Sequence, residues 1–552
     1  MSLHKRYAVA LSLALGVGCR VENAEVQRGL SAINAANLAH KIQVLAADSM
    51  EGRAPSSAGE EKTIKYLVEE FRRLGLRSGS GEDYVQQVPL VSIAADRNMT
   101  LAVQGRGKTT TLAYGDQFVA FTSRIVERAT LQNSELVFAG YGIVAPEYGW
   151  NDFAGTDVKG KTIVVLVNDP GFATGDTTLF KGRTMTYYGR WTYKYEEAAR
   201  QGAAGVLIVH ETAPAGYPWE VVTGSWSGAR FQLESADNNM SRAAVEGWIT
   251  VDAAREIFRE AAQDYDSLKA RAAQRAFKAV PLGLRASVSV RNTLRRSVSR
   301  NVLALLPGTT RSNEYVIYMA HWDHLGRDTA LQGDQIYNGA LDNASGSAGL
   351  LELARAYAAL DRNPARSVLF LAVTAEEQGL LGSQYYATHP VFPLNRTVAA
   401  INLDGMNVWG SMRDITVVGY GNSELDDYVV EAAKTQNRVV RPDPEPEKGF
   451  YFRSDHFPLA KVGVPALDPD AGTNSVRHGE AWARQQRDQY TAQRYHKPSD
   501  DYDPTWDVSG AVEDLRLLFR VGYRLANEAT FPNWRPGTEF KAARDAMMAG
   551  AR

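Results

Sequence analysis

Three apolar runs along this chain stop abruptly on side chains that bind metals or move protons. Tyr315 to Ala320 ends in His321-Trp322-Asp323-His324, Ser367 to Val373 runs into Thr374-Ala375-Glu376-Glu377, and Val398 to Leu403 closes on Asp404. Runs that are apolar throughout, rather than alternating, read as parallel strands buried on both faces, and such strands deliver functional groups at their carboxyl edge. Between them the period changes. Leu38, Ile42 and Leu45 recur at helical spacing within 34–74, Gly52-Arg53-Ala54-Pro55 interrupts, and Glu60 to Leu74 forms an amphipathic helix ended by Gly75. A helix is also predicted from Gly346 to Leu360, capped by Ser345 or Asn343, and a closing helix from Val508 to Ala529.

Tyr84 to Val91 reads as a strand. A block of different texture follows, with strands at Glu135 to Val144, Lys161 to Val167 and Gly205 to Val209 and a helix at Thr192 to Arg200 closed by Gly202. Arg285 to Val290 is an alternating strand, Asn301 to Leu306 opens the sheet that bears the polar-ended runs, and Asp414 to Val418 and Val464 to Leu467 extend it. The fold class is therefore α/β: a mixed, mainly parallel sheet flanked by helices, interrupted by a second α/β unit. The boundaries fall at an N-terminal signal segment over 1–25, an N-terminal part of the main domain over 30–130, an insert over 131–285, the main domain over 286–530 and a tail over 531–552.

The residues His321, Asp342, Glu377, Asp404 and His496, with Glu376 beside them, are the candidate donors of a two-metal set. Zinc takes nitrogen and oxygen donors at about 2.0–2.2 Å, and a catalytic site keeps one position open. Two histidines and three carboxylates hold two ions if one carboxylate bridges. Taken singly, each residue has a plainer reading: a core histidine, a turn before a helix at Gly339 to Gly346, a solvated acidic pair, a surface histidine at 496. Their joint occurrence at strand ends is what carries the metal reading. Asp323, two residues beyond His321, points to the same side of an extended chain and is placed to orient that imidazole. Of the adjacent pair, one glutamate can bind metal while the other acts as a base on the metal-bound water.

These segments resemble the co-catalytic di-zinc aminopeptidases, whose wider family includes glutamate carboxypeptidases. The resemblance rests on His321-Trp322-Asp323, Leu341-Asp342-Asn343-Ala344-Ser345-Gly346, Glu376-Glu377-Gln378-Gly379-Leu380-Leu381-Gly382-Ser383, Asn402-Leu403-Asp404 and Tyr495-His496. It implies a zinc-exopeptidase fold and two zinc ions per chain. Asp342 then bridges, Glu377 and His496 complete one site, His321 and Asp404 the other. Glu376 is the general base, and Tyr495 steadies the developing oxyanion. It also implies a non-proline cis peptide after Asp342. Met50-Glu51-Gly52-Arg53 looks like the start of the same peptidase domain.

The insert resembles a protease-associated domain in Phe153-Ala154-Gly155-Thr156-Asp157-Val158-Lys159-Gly160-Lys161 and Ala198-Ala199-Arg200-Gln201-Gly202-Ala203-Ala204-Gly205-Val206. Trp191, Tyr193, Tyr195, Trp219 and Trp226 either line a substrate cleft or pack into a core. Arg453-Ser454-Asp455-His456 resembles a loop near the family's substrate pocket. The leading expectation is an aminopeptidase acting on peptide substrates. A carboxypeptidase or dipeptidase of the same fold would need a basic group for the substrate carboxylate, for which Arg453 and Lys448 are the candidates. A receptor-like relative without catalysis is opposed by the intact donor set, and glutaminyl cyclisation by the insert.

Composition excludes little and locates more. The 552 residues are 44% hydrophobic, enough for several cores, and 61 basic against 63 acidic side chains leave no basic block for nucleic acid. Lys5 and Arg6 precede an apolar run from Tyr7 to Gly18, of export-signal length and short for a membrane span. The single cysteine, Cys19, follows it where a bacterial lipoprotein is cleaved and lipidated, although Gly16 stands where such signals prefer leucine. The expectation is export to a periplasmic or extracellular location, with membrane attachment only through a lipid on Cys19. One cysteine also rules out an intrachain disulfide.

Overall fold

A computed structural model of the chain describes residues 24–226 and 228–550, so the export segment and Cys19 lie outside the described residues. Two sheets share one long strand. The main sheet centres on four parallel strands in the order Arg366–Val373, Arg311–His321, Thr397–Asn402, Ala466–Asp470. Beyond the last, Asp414–Val418 pairs antiparallel and carries Val439–Pro442 parallel to itself. On the other side the carboxyl half of Val280–Leu306 pairs antiparallel with Arg366–Val373. Register brings the carboxyl ends level, with His321 opposite Val373 and Met319 opposite Asn402. Glu376 and Asp404 therefore emerge just past the same edge as His321.

The central strands are apolar throughout because both faces are covered. Val316, Tyr318 and Ala320 pack toward helices Ala35–Leu45, Ala58–Arg73, Gly346–Ala358 and Ser509–Asn527. Ile317 and Met319 face the opposite layer, with Tyr386 of helix Leu381–Thr388 and Leu459 of helix His456–Lys461. All five strand side chains are fully buried, each giving about 1.5–3 kcal/mol if it is large and apolar. The sheet is mixed, mainly parallel and flanked by helices, as expected from the sequence.

The second sheet runs in the order Lys108–Ala113, Thr100–Gly105, the amino half of Val280–Leu306, Arg128–Phe138, Thr162–Leu166, Gly205–His210, Val245–Thr250, Phe118–Phe121. The two strands expected at 285–290 and 301–306 are thus one strand of 27 residues. Its middle, Asn292 to Val302, pairs antiparallel with Val85–Ala95. That stretch alternates polar and exposed side chains, Val298 among them at half exposure, so it shows no apolar signal in sequence. Helix Gly479–Gln493 was also not legible, since Ala483 is its one fully buried residue. Of the insert's aromatics, Tyr193, Tyr195 and Trp226 are buried in cores, and Trp191 and Trp219 pack partly buried against one of them.

Candidate metal centre and active site

Five segments converge at the carboxyl edge of the main sheet. His321 is the last residue of its strand, and Asp342 sits in the 340–345 turn ahead of helix Gly346–Ala358. Glu376 and Glu377 follow strand Arg366–Val373, Asp404 follows strand Thr397–Asn402, and His496 comes from the loop after helix Gly479–Gln493. The peptide between Asp342 and Asn343 is cis.

Asp342 lies between the two histidines. Its Oδ1 is 3.2 Å from His321 Nε2 and its Oδ2 is 3.2 Å from His496 Nε2. His321 Nε2 is also 3.2 Å from Asp404 Oδ1, and His496 Nε2 is 3.1 Å from Glu377 Oε2. Two ligands of one tetrahedral zinc, each bonded at about 2.0–2.1 Å, stand roughly 3.3 Å apart, so these spacings suit pairs of donors sharing an ion. The structure brings all five sequence-predicted donors together. They form two half-sites with Asp342 common to both.

Neighbouring groups hold the donors. The side-chain oxygen of Asn343 accepts from the backbone N–H of Gly346 at 2.8 Å and of Gly405 at 3.0 Å, while its amide donates to Leu403 O at 2.9 Å. Asn343, rather than Ser345, thus caps the helix and ties it to the loop of Asp404. Asp500 accepts from the backbone N–H of Asp342 at 3.2 Å, and Tyr490 donates to it at 3.2 Å. Ser454 donates to Asp404 Oδ2 and accepts from Asn402 Nδ2 at 2.7 Å. Arg53 is buried below and donates to four carbonyls, those of Leu45, Trp322, Asn338 and Gly339. Gly339 itself admits no side chain, since a Cβ there would lie 2.3 Å from Asp342 O and 2.5 Å from the His324 ring.

Asp323 acts differently from expectation. The His321 Nδ1 is 3.1 Å from the backbone carbonyl of Asp323, whereas the carboxylate is 3.8 Å away. That carboxylate instead accepts the Glu376 backbone N–H at 3.1 Å, so it positions the general-base candidate. Tyr495 is 44% exposed and stacks on the His496 ring with centroids 3.9 Å apart. Sequence reasoning missed His324. It is buried, its Nδ1 is 2.6 Å from Glu377 Oε1, and with Asp342 and Glu377 it forms a second cluster compact enough for a metal. A 2.6 Å contact is a hydrogen-bond length, shorter than the spacing of two donors on one ion, so His324 orients Glu377 here. The signal lay in the same His321-to-His324 run, but the side of the chain it faces depends on the turn after the strand.

The cluster is rich in carboxylates and poor in cations. Burial pushes the Glu376 carboxyl well above its ordinary range, and Asp404, Glu377 and Asp455 add to the rise while His321 opposes it. Burial raises Asp323 to about 8 and Asp455 to about 7. His496 rises to about 10, because Asp342 and Glu377 outweigh the burial that would lower it. A pocket whose negative charge raises the buried Glu376 carboxyl and the His496 imidazole in this way offers the same field to a divalent cation.

Residues 301–519 match the model of Peptidase family M28. That stretch, which holds every candidate donor, is about two fifths of the chain. Aminopeptidase NAALADL1 of Mus musculus is 37% identical over 129 residues, covering 22% of this chain and 16% of that protein. Aminopeptidase YwaD of Bacillus subtilis is 26% identical over 212 residues, covering 37% of this chain and 40% of that protein. The chain thus spans well under half the length of these curated relatives. The aminopeptidase from Aneurinibacillus sp. strain AM-1 shares the fold at a TM-score of 0.50 and 20% identity, covering 92% of this chain and 97% of the other. The M28 match and these relatives support a zinc metallopeptidase, a hydrolase.

Proposed function

We propose that this M28 peptidase is a two-zinc aminopeptidase that removes N-terminal residues from peptides. One observation carries the reading: each carboxylate oxygen of Asp342 faces a different histidine at 3.2 Å. His321 and Asp404 would complete one site, Glu377 and His496 the other. The charges agree, since three donor carboxylates and an ionised Glu376 balance two divalent ions. Bound ions in such sites polarise a carbonyl and lower the pKa of water toward about 7. Glu376 takes the water's proton and returns it to the leaving amine, held by the Asp323 bond to its backbone. The Tyr495 phenol, on a ring fixed against His496, is the donor assigned to the developing oxyanion.

The second sheet is read as a protease-associated domain that walls the substrate cleft. Supporting this, its 185–190 segment packs on the 446–453 loop, with the Met185 N–H donating to Pro446 O at 3.1 Å. Export through the N-terminal segment belongs to the same reading, and fractionation of cells expressing the full chain tests it. Purified protein assayed with amino-acid nitroanilides and with N-blocked dipeptides, alongside metal analysis, tests the activity. Cleavage of the free-amine substrates at about two zinc per chain is expected from a two-site centre. Cleavage of the blocked set alone would show a carboxypeptidase or dipeptidase instead.

A further inference from the structure

Helix Gly479–Gln493 gives the core only Ala483, yet one of its faces is regular. Trp482, Gln486, Gln489 and Gln493 recur at intervals of four, three and four residues, which places them on one side of the helix. That side does not enter a core. It walls a cavity of about 600 Å³, within the range of small-molecule sites, whose other walls come from the 408–411, 475–478 and 503–507 segments. None of the five metal donors lines the cavity, and neither Glu376 nor Tyr495 does, so it is distinct from the catalytic centre. Tyr490 stands at the partition: it lines the cavity, while its hydroxyl donates to the Asp500 carboxylate that holds Asp342.

Trp409, Trp482 and Trp506 in the lining are half-buried, and among the described residues none of their indole N–H groups meets an acceptor. The side-chain amides of Gln486, Gln489 and Gln493 are equally without partners there. Trp482 is held by the His478 ring, with centroids 4.4 Å apart. Charge is balanced, since Arg477 and Arg494 offset Asp503 and Asp507. These features suit one ligand chemistry. A pyranose ring offers a C–H face that packs on a flat aromatic surface, and hydroxyls that both donate and accept, as a glutamine amide does. A proline-rich peptide also docks on aromatic grooves, but its prolines bring carbonyls without N–H groups, so the carboxylates of Asp503 and Asp507 would receive nothing from it. Equal numbers of cationic and anionic side chains give an ionic ligand no advantage over a neutral one.

We propose that this cavity is a binding site for neutral saccharides, separate from the metal centre. Calorimetric titration of the purified full chain with maltohexaose, cellohexaose and N-acetylchitohexaose tests it, with a proline-rich decapeptide as the competing ligand. At least one glycan should bind saturably with a Kd below about 1 mM. Trp482→Ala should weaken that binding at least about tenfold, the scale of losing one aromatic platform. Among the described residues Trp482 packs into no hydrophobic core, so its removal should leave the melting temperature unchanged. If that variant nonetheless melts early, Gln489→Ala, at an exposed position, should weaken binding in the same direction and carries the test.

No saturable binding of any of the three glycans, binding of the decapeptide alone, or a glycan affinity that survives both substitutions overturns the proposal. Binding rather than peptide hydrolysis is the readout, so failure of the aminopeptidase reading would leave this result standing.

Discussion

Replacing Glu376 with glutamine is the sharpest test of the proposed chemistry, because the structure separates its effect on catalysis from effects on folding and metal. Glutamine keeps the shape of the side chain, and the backbone N–H of residue 376 still donates to Asp323. Burial and the charges of Asp404, Glu377 and Asp455 work against an ionised carboxylate here, so the neutral amide leaves thermal stability equal or higher. The metal donors are untouched. Loss of a positioned general base costs about a hundred- to ten-thousandfold in rate, or roughly 3–5 kcal/mol in the barrier. The assay pairs turnover of leucine nitroanilide with zinc content and melting temperature on one preparation. Expected is near two zinc per chain, a melting temperature equal to or above that of the wild type, and kcat down at least about a hundredfold. Turnover within a few fold of wild type would remove Glu376 from the reaction, and loss of zinc would make it a ligand rather than a base.

Asp342→Ala removes the carboxylate common to both half-sites, so zinc should fall from about two per chain to well below one in equilibrium dialysis. Arg53→Met leaves the carbonyls of Leu45, Trp322, Asn338 and Gly339 without a donor; at about 1–3 kcal/mol for each unsatisfied buried group the metal-free protein should unfold at markedly lower denaturant, and an unshifted midpoint would contradict the buried network. His456 is fully buried and pushed down to about 3 by that burial, against an ordinary value of 6.5. Its folded-state pKa is depressed, so an unfolded chain takes up a proton first as pH falls, and stability present above pH 6.5 is lost on the way toward pH 3. At about 1.4 kcal/mol per pH unit the loss reaches at most roughly 3 kcal/mol by pH 4, and His456→Gln should flatten that part of the denaturation curve against pH.

The main sheet and its donors were legible from local pattern. Strands 311–321, 366–373 and 397–402 are apolar on both faces because helices cover both, and that leaves an unbroken run with a polar stop in the sequence. The donors sit at those stops, so His321, Glu377 and Asp404 could be picked out without coordinates. Asp342 and His496 entered the candidate set on weaker ground, since a turn and a polar loop carry no such signal, and the resemblance gave them their roles. What tertiary structure decided is whatever depends on approach between distant segments. His324 faces Glu377 because the chain turns after its strand. Asp323 bonds the Glu376 backbone rather than the His321 ring because neighbouring parallel strands bring 323 and 376 together. The long strand 280–306 joins two sheets through a polar middle that borrows its order from Val85–Ala95. Burial pattern is written residue by residue along the chain, whereas the partners of a polar side chain are set by packing that no local window contains.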